Sequence, residues 1–347
     1  PVHGGAMSEP DFTPTHGGPD ALGAPAHDFS TNANACGPCP EALAQVRAAD
    51  ATRYPDPAYT ALRARLAVLH GVAPWRIVIA AGASEFIRRI TAWVAHQDRG
   101  AHGEVVLPAT SYGDYAAAAR AWGLQVVRAP HAARRPRLAW CCDPSAPQGQ
   151  AQPGLAASIA ALPEDVPCVL DRAYEPLRLE GELALAPARL DRLWQMWSPN
   201  KALGMTGVRA AYAIAPADAQ EAVGALLRLG SSWPVGAHGV AMLSAWAEPE
   251  VQAWVRDSLH TLREWKAAQL ALCARMGWQS TPSVANYHLA QPMATDFAGL
   301  LAGLRAAGIK LRDCASFGLP GQVRMGVLPP ASQAALHAAW QRLAGAN

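Results

Sequence analysis

Short apolar runs recur along the first two thirds of this chain, and between them lie stretches whose apolar residues repeat every three or four positions. Residues 76–81 (RIVIAA) form one run, broken by Gly82 and followed by a helical pattern as far as Trp93. Residues 104–107 (EVVL) form another, ended by Pro108, and the series continues at 124–128, 138–142, 167–170, 193–197 and 209–214. Length and bounding Gly or Pro mark such runs as strands. Strands that alternate with helices build a mainly parallel sheet, with the crossover helices covering both faces.

Helical spacing also marks residues 41–49 and 59–70, where Leu62, Leu66 and Leu69 share a face. Residues 235–276 predict long helices broken near Pro249, and the C-terminal part returns to mixed α+β, with strands near 287–289, 309–312 and 322–327. A chain of 347 residues favours two domains over one core. The expected organisation is an irregular N-terminal arm (1–28), a large α/β domain (51–240) and a smaller α+β domain (29–50 and 241–347).

Composition excludes several classes. Charged residues are 16% of the chain and the net charge is +2, with no basic block, so nucleic acid is not an expected partner. No apolar run approaches the roughly 18 residues of a membrane span. The Gly-, Pro- and His-rich start does not resemble a signal peptide, and the seven scattered cysteines form no disulfide framework, so a reducing cytoplasm is the expected compartment. The eleven histidines lack the spacings of a zinc site, and no metal is expected.

Of the 29 basic residues only three are lysine: Lys201, Lys266 and Lys310. Arginine replaces lysine as a charge but not as an imine-forming amine, so each lysine invites a reason. Lys201 lies in Ser198-Pro-Asn-Lys-Ala-Leu-Gly-Met-Thr-Gly-Val-Arg209, just after a strand. Gly204 and Gly207 permit close ligand approach, Arg209 offers a planar fork to a phosphate, and Ser198 adds a hydroxyl. A turn with a surface lysine accounts for the same local pattern. Asp171-Arg-Ala-Tyr174 follows the strand at 167–170, so both side chains fall at a strand's C-terminal end, where ligands gather in open α/β sheets. A helix cap explains that motif equally well. Gly82-Ala83-Ser84 joins a strand to a helix, whose free N–H groups and positive end form a phosphate cup.

In this order, the motifs resemble the class I/II aminotransferases among the fold-type-I pyridoxal 5′-phosphate enzymes. They are most similar to the branch that holds histidinol-phosphate aminotransferase and threonine-phosphate decarboxylase. The resemblance runs from about His16 to Val327. It implies a PLP-dependent transferase-like α/β fold, with a large domain on a mainly parallel sheet of the seven-stranded type and a smaller α+β domain. It places the phosphate cup on Gly82, Ala83 and Ser84, the ring-stacking aromatic on Tyr112, and further phosphate groups on Ser198 and Arg209. Asp171 falls where the pyridine nitrogen is held, Tyr174 at the phenolic oxygen, and Lys201 at the imine, making these three the expected catalytic residues. Arg324, with Arg312, is the expected carboxylate holder, and His16 in His16-Gly-Gly matches a substrate-phosphate position of the decarboxylase branch. Tyr54 in Arg53-Tyr-Pro-Asp56 resembles a tyrosine that reaches the phosphate from a neighbouring subunit, which implies a homodimer.

Two positions depart from the family pattern. The N-P-N-N-P-T-G segment is Asp143-Pro-Ser-Ala146-Pro-Gln-Gly149 here, so an asparagine donor to the phenolic oxygen is replaced by Ala146, and a serine before the lysine is Asn200. The resemblance implies an aminotransferase acting on an amino acid or phosphorylated amino compound, with a keto acid as acceptor. Decarboxylation of L-threonine O-3-phosphate, a step of cobalamin biosynthesis, is the alternative, since the outcome depends on which bond at the α-carbon stands perpendicular to the cofactor ring. Ala146 and Asn200 motivate a third reading, a degenerate binding protein on the same fold. Cys36-Gly-Pro-Cys39 spells a redox C-x-x-C motif, but the turn-like residues before it do not supply the strand such a site needs.

Overall fold

The computed structural model describes residues 16–97, 103–128 and 132–344. A first short strand, β1 (His27–Asp28), precedes the strands of the main sheet: β2 (Ile77–Ala80), β3 (Glu104–Val106), β4 (Gln125–Val127), β5 (Pro136–Cys142), β6 (Cys168–Asp171), β7 (Trp194–Trp197) and β8 (Ala211–Ile214). These seven lie in the order β2-β8-β7-β6-β5-β3-β4. Only β8 runs against its neighbours, and β3 to β7 pair in parallel. Each expected apolar run of this region is a strand of that sheet.

Helices seal both faces. Helix Ala83–Gln97 turns Phe86, Ile87, Ile90 and Val94 inward, against Val78, Val105, Leu138 and Trp140. The residues between these along the strands, such as Ile77 and Ile79, join the opposite core with Leu62, Leu66, Trp197 and Tyr212. Strand residues buried on both faces explain why the runs are continuously apolar rather than alternating. The break expected near Pro249 is real. Helix Ala237–Trp246 stops, Glu248 adopts extended backbone, and Pro249 opens the 27-residue helix Pro249–Arg275, a first-turn position where a missing N–H costs nothing.

The second sheet is built from β9 (Gln279–Ser280), β10 (Tyr287–Gln291), β12 (Arg312–Asp313) and β13 (Val323–Gly326), in the order β12-β13-β10-β9, while β11 (Ile309–Lys310) pairs in parallel with β1. The single strand expected at 309–312 is therefore two strands in different sheets, divided at the buried Leu311. The described part of the expected N-terminal arm is irregular apart from β1, but it is anchored. Residues 16–28 are tied down by β1 and by Asp20, which pairs with Arg305 (2.7 Å) and Lys310 (3.0 Å). Polar ties of this kind leave no periodic signature. Residues 1–15 lie outside the described residues.

Candidate active site

Parallel strands end on a common edge, so β2, β3, β5, β6 and β7 deliver their following residues to one side of the sheet. A cavity of about 190 Å³ opens there, and Ala83, Tyr112, Cys142, Asp171, Ser198 and Lys201 line it. Arg209, two residues before the reversed strand β8, reaches the same edge from the opposite direction.

The turn after β7 presents Lys201. Its Nζ donates to Ser198 Oγ at 3.0 Å, and that hydroxyl donates to Asn200 Oδ1 at 2.9 Å. The Asn200 amide in turn reaches the carbonyls of Thr206 (3.4 Å) and Val208 (3.3 Å), so the unusual residue at 200 closes the loop that carries the lysine. Burial lowers the Lys201 amine to about 8 against the partial support of Asp171, and Arg209 and Arg324 push it the same way. The other two lysines are engaged elsewhere. Lys266 donates to the Ser283 carbonyl, and Lys310 to the Gly18 carbonyl at 2.6 Å.

Asp171 closes β6 and is buried. One carboxylate oxygen accepts the Ala173 N–H at 2.9 Å and the other accepts the Tyr115 hydroxyl. Burial raises its pKa, and these two bonds and Lys201 pull it back. Tyr115 was not expected at the site. It lies three residues beyond Tyr112 in the same run, stacked on Trp140 with ring centroids 4.3 Å apart. Asn32 is a second addition, its amide 3.4 Å from the Tyr174 hydroxyl.

At the turn between β2 and helix Ala83–Gln97, Gly82 lets the Arg209 guanidinium pack closely. A Cβ there would fall 2.5 Å from Arg209 Nη2. Among the described residues the Arg209 guanidinium has no hydrogen-bond or ion-pair partner, so a charged fork faces the helix N-terminus at Ala83 and Ser84. Ser84 Oγ and the Tyr112 hydroxyl lie 3.2 Å apart. Across the cavity, Arg324 donates to the Ser30 carbonyl at 2.9 Å, while its Nε is buried with no partner among the described residues. His16 is at the cavity mouth, its ring centroid 6.1 Å from that of Tyr112. Close packing holds it there: a Cβ on Gly17 would strike the Ser30 carbonyl at 2.1 Å, and Gly18 N–H donates to Ser30 Oγ at 2.8 Å.

Gly82 lies behind Arg209 rather than in the lining, and Arg312 and Tyr54 are not brought into the cavity of their own chain. Arg312 faces Arg324 across the β12–β13 ladder, but its guanidinium turns to Ser316 Oγ (2.9 Å) and lies over the Phe317 ring. Tyr54 is 79% exposed and stacks on Trp233, with ring centroids 4.4 Å apart. Ala146 lines the cavity, and its methyl side chain offers no hydrogen bond. Burial pushes the Cys36 and Cys39 thiols up, the wrong direction for a reactive thiolate. Among the described residues, no group of three or more His, Cys, Asp or Glu is placed to hold a metal ion, and no helix is long and apolar enough to cross a membrane.

Residues 25–343 match the family described as aminotransferase class I and II. The chain is 30% identical over 327 residues to a histidinol-phosphate aminotransferase of Ruegeria pomeroyi, with 86% of each chain covered. It is also 30% identical to the histidinol-phosphate aminotransferase of Symbiobacterium thermophilum, covering 88% of this chain and 87% of that one. The histidinol-phosphate aminotransferase of Sinorhizobium meliloti, solved in complex with pyridoxal-5′-phosphate, superposes with a TM-score of 0.78 at 21% identity, covering 90% of each chain. The L-threonine-O-3-phosphate decarboxylase of Porphyromonas gingivalis superposes at 0.73 and 19% identity, covering 91% of this chain and 97% of that one. These two likenesses are of fold.

Proposed function

The chain belongs to the class I and II aminotransferases, enzymes that use pyridoxal 5′-phosphate, and from that premise we propose that it transfers the amino group of an anionic, phosphate-bearing amino compound to a keto acid, with Lys201 as the residue that carries the cofactor. The observation that carries this is Lys201 itself: of the chain's three lysines it alone lines the cavity, with its pKa lowered to about 8. The cavity also fits the cofactor's other groups. Arg209, packed closely over Gly82, and Ser84 in the first turn of helix Ala83–Gln97 offer a phosphate a cation and a hydroxyl, and the positive end of that helix favours an anion. Asp171 offers a buried carboxylate to the ring nitrogen, Tyr112 an aromatic face, and Tyr174 a hydroxyl to the phenolic oxygen.

The cofactor supplies an electron sink that makes a bond at the substrate's α-carbon labile. The protein's own residues do the rest. Arg324, with one buried guanidinium nitrogen unpartnered among the described residues, holds the substrate carboxylate. Asp171 keeps a positive charge opposite it on the ring nitrogen. The Lys201 amine, near 8 rather than its ordinary 10.5, is partly uncharged at neutral pH and takes and returns the proton at the α-carbon. His16, beside Tyr112, meets the substrate's distal anionic group.

That position of His16 favours a second reading, in which the carboxylate of L-threonine O-phosphate is lost instead of the amine. One assay separates them. The enzyme is given histidinol phosphate with 2-oxoglutarate, and separately L-threonine O-phosphate, and products are identified. Glutamate formed only with the first supports transamination, and release of carbon dioxide from the second supports decarboxylation. Borohydride trapping with peptide mapping tests the premise beneath both: an adduct on Lys266 or Lys310, or none at all, refutes the role of Lys201.

The exposed Tyr54–Trp233 pair supports assembly as a homodimer, in which each active site borrows Tyr54 from its partner.

A further inference from the structure

Tyr174 stands at the cavity wall with one hydroxyl hydrogen to give and two lone pairs to fill. Burial pushes its phenol pKa up, so the hydroxyl stays protonated. Among the described residues its one hydrogen-bond partner is the Asn32 amide, which approaches as a donor, Nδ2 to hydroxyl oxygen at 3.4 Å. The hydroxyl hydrogen is therefore left without an acceptor among the described residues and is available to whatever fills the cavity. Ala146 and Ala173, which share the lining, offer no side-chain hydrogen bond that could take over the task.

Asn32 is built into this position. It is 3% exposed, and its Oδ1 is buried without a partner among the described residues. Its backbone carbonyl accepts from Asn286 Nδ2 at 3.1 Å, and the same amide reaches the Ala33 carbonyl at 3.3 Å. Two residues on, Asn34 N–H donates to the Lys201 carbonyl at 2.8 Å and the Asn34 side chain to the Ala202 carbonyl at 3.0 Å. One segment thus joins the lysine turn, through Asn32, to the hydroxyl of Tyr174.

We propose that Asn32 is a positioning residue: by donating to the Tyr174 hydroxyl oxygen, it turns that hydroxyl's hydrogen into the cavity, toward the phenolic oxygen of the bound cofactor. This rests on the cofactor reading given above. A donor at the phenolic oxygen stabilises the anion that remains when the neighbouring proton of the lysine-bound cofactor leaves, so it lowers the pH at which that proton is lost. Removing the donor raises that pH. Asp171, Arg209, Arg324 and Cys142 also bear on Lys201, and the variants below leave all four in place.

The test is a substrate-free titration of the visible absorbance of the lysine-bound cofactor against pH, in wild type, Asn32→Leu, Tyr174→Phe and the double variant. Tyr174→Phe is expected to raise the midpoint by roughly one to two pH units, the size of one hydrogen bond to a charged group. Asn32→Leu should raise it by less, and the double variant should match Tyr174→Phe. Where Asn32→Leu does not fold, Asn32→Ala takes its place. An unmoved midpoint in the Asn32 variant overturns the proposal. So does a shift that recurs undiminished beside Phe at 174, since Asn32 would then act without Tyr174. A wild type with no lysine-bound absorbance refutes the cofactor reading of Lys201 itself, a failure visible before any variant is made.

Discussion

Gly82→Ala is a one-carbon change whose cost should fall on the ligand rather than on the fold. The added Cβ would sit 2.5 Å from Arg209 Nη2 and 3.4 Å from its Cζ, so the guanidinium has to withdraw. It can do so easily, because Arg209 is exposed and has no hydrogen-bond or ion-pair partner among the described residues. The backbone at 82 is outside the left-handed region, so alanine adds no strain. What is lost is one charge-assisted contact to the cofactor phosphate. Such a bond is worth about 1.5–3 kcal/mol, which corresponds to a dissociation constant roughly 10- to 150-fold higher. Equilibrium dialysis of the cofactor-free protein with pyridoxal 5′-phosphate measures this directly, and thermal unfolding of the same cofactor-free samples should be nearly unchanged. On an Arg209→Ala background, the Gly82 substitution should cost little more, because the group it displaces is already gone. Unchanged affinity in a folded Gly82→Ala variant, or an equal loss on both backgrounds, would refute the phosphate contact of Arg209.

Three further outcomes are expected. In the cofactor-free protein the uncharged Lys201 amine is the nucleophile and its pKa is lowered to about 8, so covalent capture of pyridoxal 5′-phosphate should speed up as pH rises and level off above about 8; a midpoint near the ordinary lysine value of 10.5 would mean that the amine is not desolvated. Asp171→Asn removes the buried negative charge while keeping the shape, so cofactor affinity should hold while turnover falls roughly 100-fold or more; near wild-type turnover would place the ring nitrogen elsewhere. Tyr54→Phe should weaken cofactor retention in a protein that sediments as a dimer, and mixing it with Lys201→Ala subunits should restore one site per hybrid; a fully active monomer would contradict the borrowed tyrosine.

Much of this protein is written in its local sequence. Most strands of the main sheet are short apolar runs bounded by breakers, and burial on both faces keeps the central ones largely apolar, while the edge strand β4 stays partly exposed. Pro249 opens a helix because a first-turn residue needs no N–H. Lys201 stands out from scarcity alone, in a chain that otherwise uses arginine, and Gly82, Asp171 and Tyr174 follow or close strands whose parallel run carries them to one edge. Partners far apart in the chain were beyond that reach. Tyr115 meets Asp171 across 56 positions, and Asn32 meets Tyr174 across 142, because the strand order and the docked N-terminal segment bring them together, and no periodicity encodes either. Arg312 and Arg324 look alike as residues, yet only Arg324 lines the cavity, while Arg312 turns to Ser316 and Phe317. The division at Leu311 has the same origin: local propensity favours an extended run, and the pairing partners on either side determine where it splits. Sequence specifies which segments extend, which coil and which residues can do chemistry; only the tertiary structure decides which side chains meet, because long-range contacts depend on topology rather than on neighbours in the chain.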